Sequence, residues 1–305
     1  MDRSGLIELL KMPLSELIIT ANRIRHEETN SKLELCNIMN AKSGLCGEDC
    51  KFCAQSLRHK TQIPRYPLKT KDEMLKMAKR AKRMGADRFD IVTSGATLTK
   101  DELDEIAEAV SKIKKEVDID MCASLGKLDE MSLALLKKAG ISRYHHNIET
   151  SPGYFSKIVS THTFEERVDT IKAAKRVGLE VCSGGIIGMG ETWLDRIEMA
   201  LILKELNVDS VPINILVPIK GTPLGSVKPV SAEDAIRSIA MFRIVLKDKI
   251  IKIAAGRESV LKDFPTAPFM AGANGMLIGG YLTIAGRAVE ADKILVEEIK
   301  NIWHG

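Results

Sequence analysis

The chain predicts a (β/α)8 barrel. Three observations carry this: eight short strand-like runs, helix-type segments between them, and an alternation within the runs that turns one set of residues toward a shared interior. In chain order the runs are LELCNIM (33–39), RFDIVTS (88–94), IDMCASL (119–125), RYHHNIE (143–149), LEVCSGGIIG (179–188), SVPINILV (210–217), KIIKIAA (249–255) and GMLIGG (275–280). They favour β-branched, aliphatic and aromatic residues. At 305 residues and 45% hydrophobic content, one barrel is expected to use residues 1–305 as a single domain. An N-terminal helical segment over 1–30 and a C-terminal helix over 287–305 flank the strands.

The helices between the strands announce their ends. Thr70 with Glu73, Thr99 with Glu102 and Thr163 with Glu166 have capping-box spacing, in which hydroxyl and carboxylate satisfy the free N–H groups of a first turn. Gly85, Gly140 and Gly178 close three of the helices. No long Pro/Gly/Ser linker, low-complexity tract or short-period repeat divides the chain.

Composition narrows the partners. The net charge of +4 comes from 45 basic and 41 acidic residues that are interspersed, without the single-sign blocks of nucleic-acid arms or membrane-surface segments. Neither partner is expected. The first 28 residues are interrupted by charges, unlike a signal peptide, and no run approaches the ~18 apolar residues of a membrane span, so a cytoplasmic protein is expected. Six cysteines are too few for a disulfide scaffold at this length and point to metal or chemistry.

Alternate strand residues face opposite sides, one toward the helices and one toward the lumen. With Ile119, Met121 and Ala123 against the helices, Asp120, Cys122 and Ser124 turn inward. The same parity sends Arg88 and Asp90 inward on the second strand, Glu180 and Cys182 on the fifth, and Cys36 on the first. Three cysteines on alternate strands then share a lumen layer, and with charged inward neighbours they are read as a shared metal centre rather than as packed hydrophobes.

Cys46, Cys50 and Cys53 form C-x3-C-x2-C in the loop after the first strand, at the end of the barrel where active sites are built. Structural zinc needs four closed positions, and a zinc knob would require His59 as the fourth ligand. Three thiolates on a four-iron cube leave one iron open for substrate.

CGEDCKFC, with Phe52 beside the last cysteine, resembles the cluster loop of the radical S-adenosylmethionine superfamily. CGEDCKFCAQS, HHNIETSP, CSGGIIGMGET, SVPINILVPIKGTPL, AAGRE and FMAGANGML are similar, in order, to the motifs of the biotin synthase family. The resemblance implies a 4Fe-4S cluster on Cys46, Cys50 and Cys53, whose open iron takes the amino and carboxylate groups of S-adenosylmethionine. One electron then yields a hydrogen-abstracting radical. It also implies dethiobiotin as the small-molecule substrate, sulfur supplied by an auxiliary iron–sulfur cluster, and both clusters in or at the mouth of the lumen. An electron donor such as flavodoxin or ferredoxin and a homodimer come with the family.

By the same resemblance Ser94 and Gly95 hold the methionine end of the cofactor, Glu149 its ribose and Arg167 its carboxylate, while Gly184 and Ile187 approach the adenine. Asn147 and Asn214 bond the cyclic urea of dethiobiotin, because an amide offers both donor and acceptor. Tyr281 and Thr283 are candidates for the substrate tail, and His145 is read as a satisfied core histidine.

The family's commoner auxiliary cluster, 2Fe-2S, takes cysteines from the second, third and fifth strands plus an arginine. Here Cys122, Cys182 and Arg257 match, but the second strand carries Asp90. Cys36 is expected to replace the missing thiol, as in a branch of the family with an altered or larger cluster, leaving Asp90 a neighbour of Arg88 or Arg257. Two other readings are weighed against this one. One is a related radical enzyme of hydrogenase maturation or the pyrrolysine pathway; the other is a non-catalytic iron–sulfur electron carrier.

Overall fold

The computed structural model describes residues 3–284 and 286–304. Among the described residues nine short parallel strands form one sheet: β1 (Glu34–Lys42), β2 (Arg88–Thr93), β3 (Asp120–Ser124), β4 (Ile141–His145), β5 (Glu180–Cys182), β6 (Gly185–Ile187), β7 (Ser210–Ile215), β8 (Ile250–Ile253) and β9 (Gly275–Leu277). The order β5-β4-β3-β2-β1-β9-β8-β7-β6 closes on itself, because β5 also pairs with β7. Since β5 and β6 are two halves of one stave, the sheet is an eight-staved parallel barrel.

The break in the fifth stave has a local cause. It falls opposite Pro212 of β7, which has no N–H to give the ladder. There the backbones close in: a Cβ on Gly184 would lie 2.0 Å from the Pro212 carbonyl oxygen, so only glycine fits.

Helices cover the outside. The capping boxes at Thr70, Thr99 and Thr163 form as the spacing predicts, and a fourth joins Thr192 to Asp195. The N-terminal segment is two helices, Arg3–Lys11 and Leu14–Thr29, divided at Pro13; the C-terminal helix spans Val289–His304. Phe89, Ile91, Met121, Ala123 and Val181 are buried against the helix layer, as the strand parity requires.

The lumen floor is ionic. Glu34, almost fully buried, meets Arg143 Nη1 at 2.7 Å, Arg88 Nε at 2.8 Å and Lys252 Nζ at 3.2 Å. Arg88 and Arg143 also reach Glu180, at 3.1 and 2.9 Å. Burial raises the Glu34 pKa, but Lys252, Arg143 and Arg88 outweigh it and hold the carboxyl well below the usual range.

Candidate active site

Beyond β1 the chain makes a long loop that carries Cys46, Cys50 and Cys53, all free thiols. Hydrogen bonds within the loop fix its course: Cys46 N–H donates to Gln55 O, Leu57 N–H to Cys46 O, and Cys53 N–H to Cys50 O. Asp49 ties the loop to the segment after the helix Pro152–Ile158 by accepting from the Ser160 N–H at 2.9 Å, and Glu48 accepts from His162 at 2.6 Å.

His59 does not join the cysteines. Its Nε2 lies 3.0 Å from the Cys50 carbonyl, so the zinc knob does not assemble. Among the described residues no three Cys, His, Asp or Glu side chains are grouped to hold a single metal ion. An iron–sulfur cube binds each thiolate through a different iron, so wider thiol spacing suits it.

The three thiols line a cavity of about 190 Å3 at the barrel mouth, together with Ser94, Gly95, Asn147, Glu149 and Arg167. Burial pushes the Cys50 thiol up and Cys53 to about 11, so both are protonated at neutral pH and must lose a proton to bind metal. Arg167 reaches inward: Nη1 donates to Asn147 O at 2.9 Å and stands 3.7 Å from Glu149. Burial raises the Glu149 pKa, against the lowering by Arg167. Glu149 also holds a left-handed backbone, φ 67°, which a non-glycine residue takes only when its surroundings impose it.

A second cavity, about 340 Å3, fills the lumen beneath the first and shares Phe52, Cys53, Ser124, His145, Asn147 and Glu149 with it. Cys36, Cys122 and Cys182 all line it, as parity predicts, with Asp90 and Asn214. Burial pushes Cys36 up to about 12 and also raises Cys122 well above the usual thiol range. Tyr281 and Thr283 border the same space.

Four expectations change. Arg257 does not line the lumen; it opens the short helix Arg257–Leu261 and pairs with Asp292 at 2.7 Å and Glu258 at 3.0 Å. The lumen cation on that side is Lys252, which alternation between Ile251 and Ile253 points inward. Ile187 is fully buried away from the cavity and Ile186 lines it instead, because the alternation that turns Cys182 inward carries on across the broken stave to Ile186. Gly184 serves the close approach to Pro212 and donates its N–H to Asn147 Oδ1 at 3.1 Å, rather than bordering the cavity.

The fourth change concerns His145, which is satisfied as expected but borders both cavities instead of lying in the core. Its Nδ1 lies 3.2 Å from Asp90 Oδ2 and its Nε2 3.0 Å from Asn147 Oδ1, so Asp90 partners His145 rather than Arg88 or Arg257. Burial lowers the His145 pKa, but Cys182 and Asp90 outweigh it and lift it to about 9.

A closed parallel barrel with three thiols on the loop after its first strand defines a radical S-adenosylmethionine fold. Residues 42–203 match the Radical SAM superfamily model, and residues 212–300 match the Biotin and Thiamin Synthesis associated domain. The chain is 52% identical over 296 residues to a biotin synthase of Thermotoga petrophila, covering 97% of this chain and 98% of that one. It is 49% identical over 293 residues to one of Clostridium perfringens, with coverage of 96% and 92%. The chain belongs to the biotin synthase family of radical S-adenosylmethionine enzymes.

Among solved structures it is similar to methylornithine synthase (TM-score 0.83, 20% identity, 99% of this chain and 92% of that one). It is also similar to the FeFe-hydrogenase maturase of Carboxydothermus hydrogenoformans (0.79, 18%, 97% and 78%). At such identity these two share the fold alone with this chain. Family membership implies a 4Fe-4S cluster and S-adenosylmethionine. No helix among the described residues is long and apolar enough to cross a membrane.

Proposed function

We propose that the chain converts dethiobiotin to biotin, with S-adenosylmethionine at the barrel mouth and an auxiliary iron–sulfur centre as sulfur donor in the lumen. The observation that carries this reading is the junction of the two cavities: one has three loop thiols, the other three strand thiols, and Cys53, Asn147 and Glu149 line both. When bound, the loop cluster with S-adenosylmethionine supplies a hydrogen-abstracting radical, and the auxiliary centre supplies sulfur.

The chain's own residues bind, orient and exclude water. Cys46, Cys50 and Cys53 hold the loop cluster, and the Ser94–Gly95 turn and Arg167 hold the methionine end of the cofactor. Glu149 would accept from the ribose hydroxyls, and Ile186 rather than Ile187 would offer apolar surface to the adenine. Asn147 and Asn214 grip the urea, while Tyr281 and Thr283 border the tail. Cys36, Cys122 and Cys182 hold the auxiliary centre over a cationic floor, with Lys252 in the place expected of Arg257. Residues 1–305 act as one barrel domain in this reading, since the two matched family segments contribute strands to a single closed sheet. A flavodoxin or ferredoxin as reductant, a homodimer and a cytoplasmic setting follow from the family likeness.

The test is anaerobic reconstitution with iron and sulfide, then incubation with reductant, S-adenosylmethionine and dethiobiotin, with biotin read by mass spectrometry. Cofactor cleavage without biotin would turn the reading to a related radical enzyme.

Two variants refine it. Alanine at Asn147 or Asn214 removes an amide donor facing the urea and weakens dethiobiotin binding by about 1–3 kcal/mol, with the loop cluster intact. Unchanged affinity in both variants counts against the urea assignment. Cys36→Ala keeps cofactor cleavage but loses auxiliary iron and yields no biotin; full iron and normal yield would return Cys36 to the packed core.

A further inference from the structure

The hydrogen bonds around the two lumen asparagines determine which of their atoms remain for a ligand. Backbone N–H groups donate and never accept, so the Asn147 atom facing Gly184 N–H and the Asn214 atom facing Ala255 N–H (3.2 Å) are both Oδ1. The Nδ2 of Asn147 donates to Glu149 Oε2 at 3.4 Å, and that of Asn214 to Gly185 O at 3.3 Å. Each Nδ2 keeps one N–H unused.

His145 adds a second donor to Asn147. With Oδ1 already an acceptor, the ring nitrogen 3.0 Å away must carry the proton it shares. The other ring nitrogen faces a carboxylate oxygen of Asp90 at 3.2 Å and donates there. Both lone pairs of Asn147 Oδ1 are therefore filled, one by Gly184 N–H and one by His145. Asp90 itself is 2% exposed and lines the lumen cavity, and its second oxygen, Oδ1, is buried with no hydrogen-bond partner among the described residues. A buried carboxylate oxygen without a partner, on a residue that borders a cavity, is costly to keep unless a donor meets it.

We propose that Asp90 and His145 are the pair that sets specificity for a urea: His145 fills the Asn147 oxygen so that this amide offers only N–H to a ligand carbonyl, and the free Asp90 oxygen accepts a ligand N–H. The inference rests on the dethiobiotin reading and deepens it. Such a site rejects the cyclic guanidine analogue of dethiobiotin, which places N–H where the carbonyl oxygen stands and meets donor with donor. His145 positions; Asp90 positions and touches the substrate.

The test is equilibrium binding to the reconstituted holoenzyme with S-adenosylmethionine and no reductant, with dethiobiotin and its cyclic guanidine analogue as probes and iron and sulfide counted in each variant. The parent prefers dethiobiotin by on the order of a hundredfold. His145→Phe opens an Asn147 lone pair and cuts that preference about tenfold. His145→Gln restores an N–H donor without charge and keeps the preference, which separates the lone-pair effect from simple removal of a cation. Asp90→Asn keeps its iron and binds dethiobiotin about tenfold more weakly.

A preference unchanged in His145→Phe, or lost equally in His145→Gln, overturns the donor assignment. Loss of auxiliary iron in Asp90→Asn overturns the role given to Asp90 and makes it a cluster ligand. A parent that binds neither probe sinks the dethiobiotin reading itself, an outcome distinct from either.

Discussion

Alanine at any one of Cys46, Cys50 and Cys53 is expected to reduce cleavage of S-adenosylmethionine by the reduced protein to background. The loop's course is fixed by bonds of the Cys46 N–H and C=O, the Cys50 C=O and the Cys53 N–H, so no neighbouring donor can swing into the gap. His59 is the nearest substitute in sequence, and its ring is already engaged with the Cys50 carbonyl. The measurement is methionine or 5'-deoxyadenosine release after anaerobic reconstitution, with iron content alongside. Cleavage persisting in all three variants would remove the loop from the chemistry.

The largest effect on stability is expected from Glu34→Gln. One carboxylate holds three buried cations within 3.2 Å, and a neutral amide takes the charge partner from Lys252 and leaves Arg88 and Arg143 to share Glu180. Breaking a buried ionic group from one side costs about 3–5 kcal/mol. Chemical denaturation of the cluster-free protein would show this as a lower midpoint at unchanged slope. The sign with pH follows from the depressed Glu34 pKa. The carboxylate's stabilisation is complete above the unfolded glutamate value of about 4.3 and is lost as pH falls toward the lower folded value. The gap between parent and variant should therefore narrow in acid; a gap that stays constant would mean that the loss is steric.

Much of this was legible in the sequence, because a period of two is a geometric statement. The alternation that assigns Met121 to the helices places Cys122 in the lumen, and the same reading holds for Cys36, Asp90 and Cys182. Capping boxes marked the helix starts for the same reason: the spacing is the bond. The failures share a cause as well. Ile187 was taken from its motif, although the alternation that turns Cys182 inward continues to Ile186. Arg257 drew attention through its motif, although the alternation of Ile251 and Ile253 already pointed to Lys252. Glu34 lies two residues before Cys36, on the same face, and that spacing alone was enough to find it. His145 looked like a core histidine because its partners, Asp90 and Asn147, come from a different strand and from beyond its own.

The broken fifth stave also separates two kinds of inheritance. In the proposed assignment every iron ligand lies at or before Cys182, whereas the tail-bordering Tyr281 and Thr283, the floor cation Lys252 and one of the two urea amides all come after the break. The two matched family segments part further along, between residues 203 and 212. Mutational drift in the later segment can thus retune the length and polarity of the acceptor molecule while the electron-handling apparatus stays untouched, so one ancestral barrel can be diversified toward new substrates without reinventing its radical chemistry.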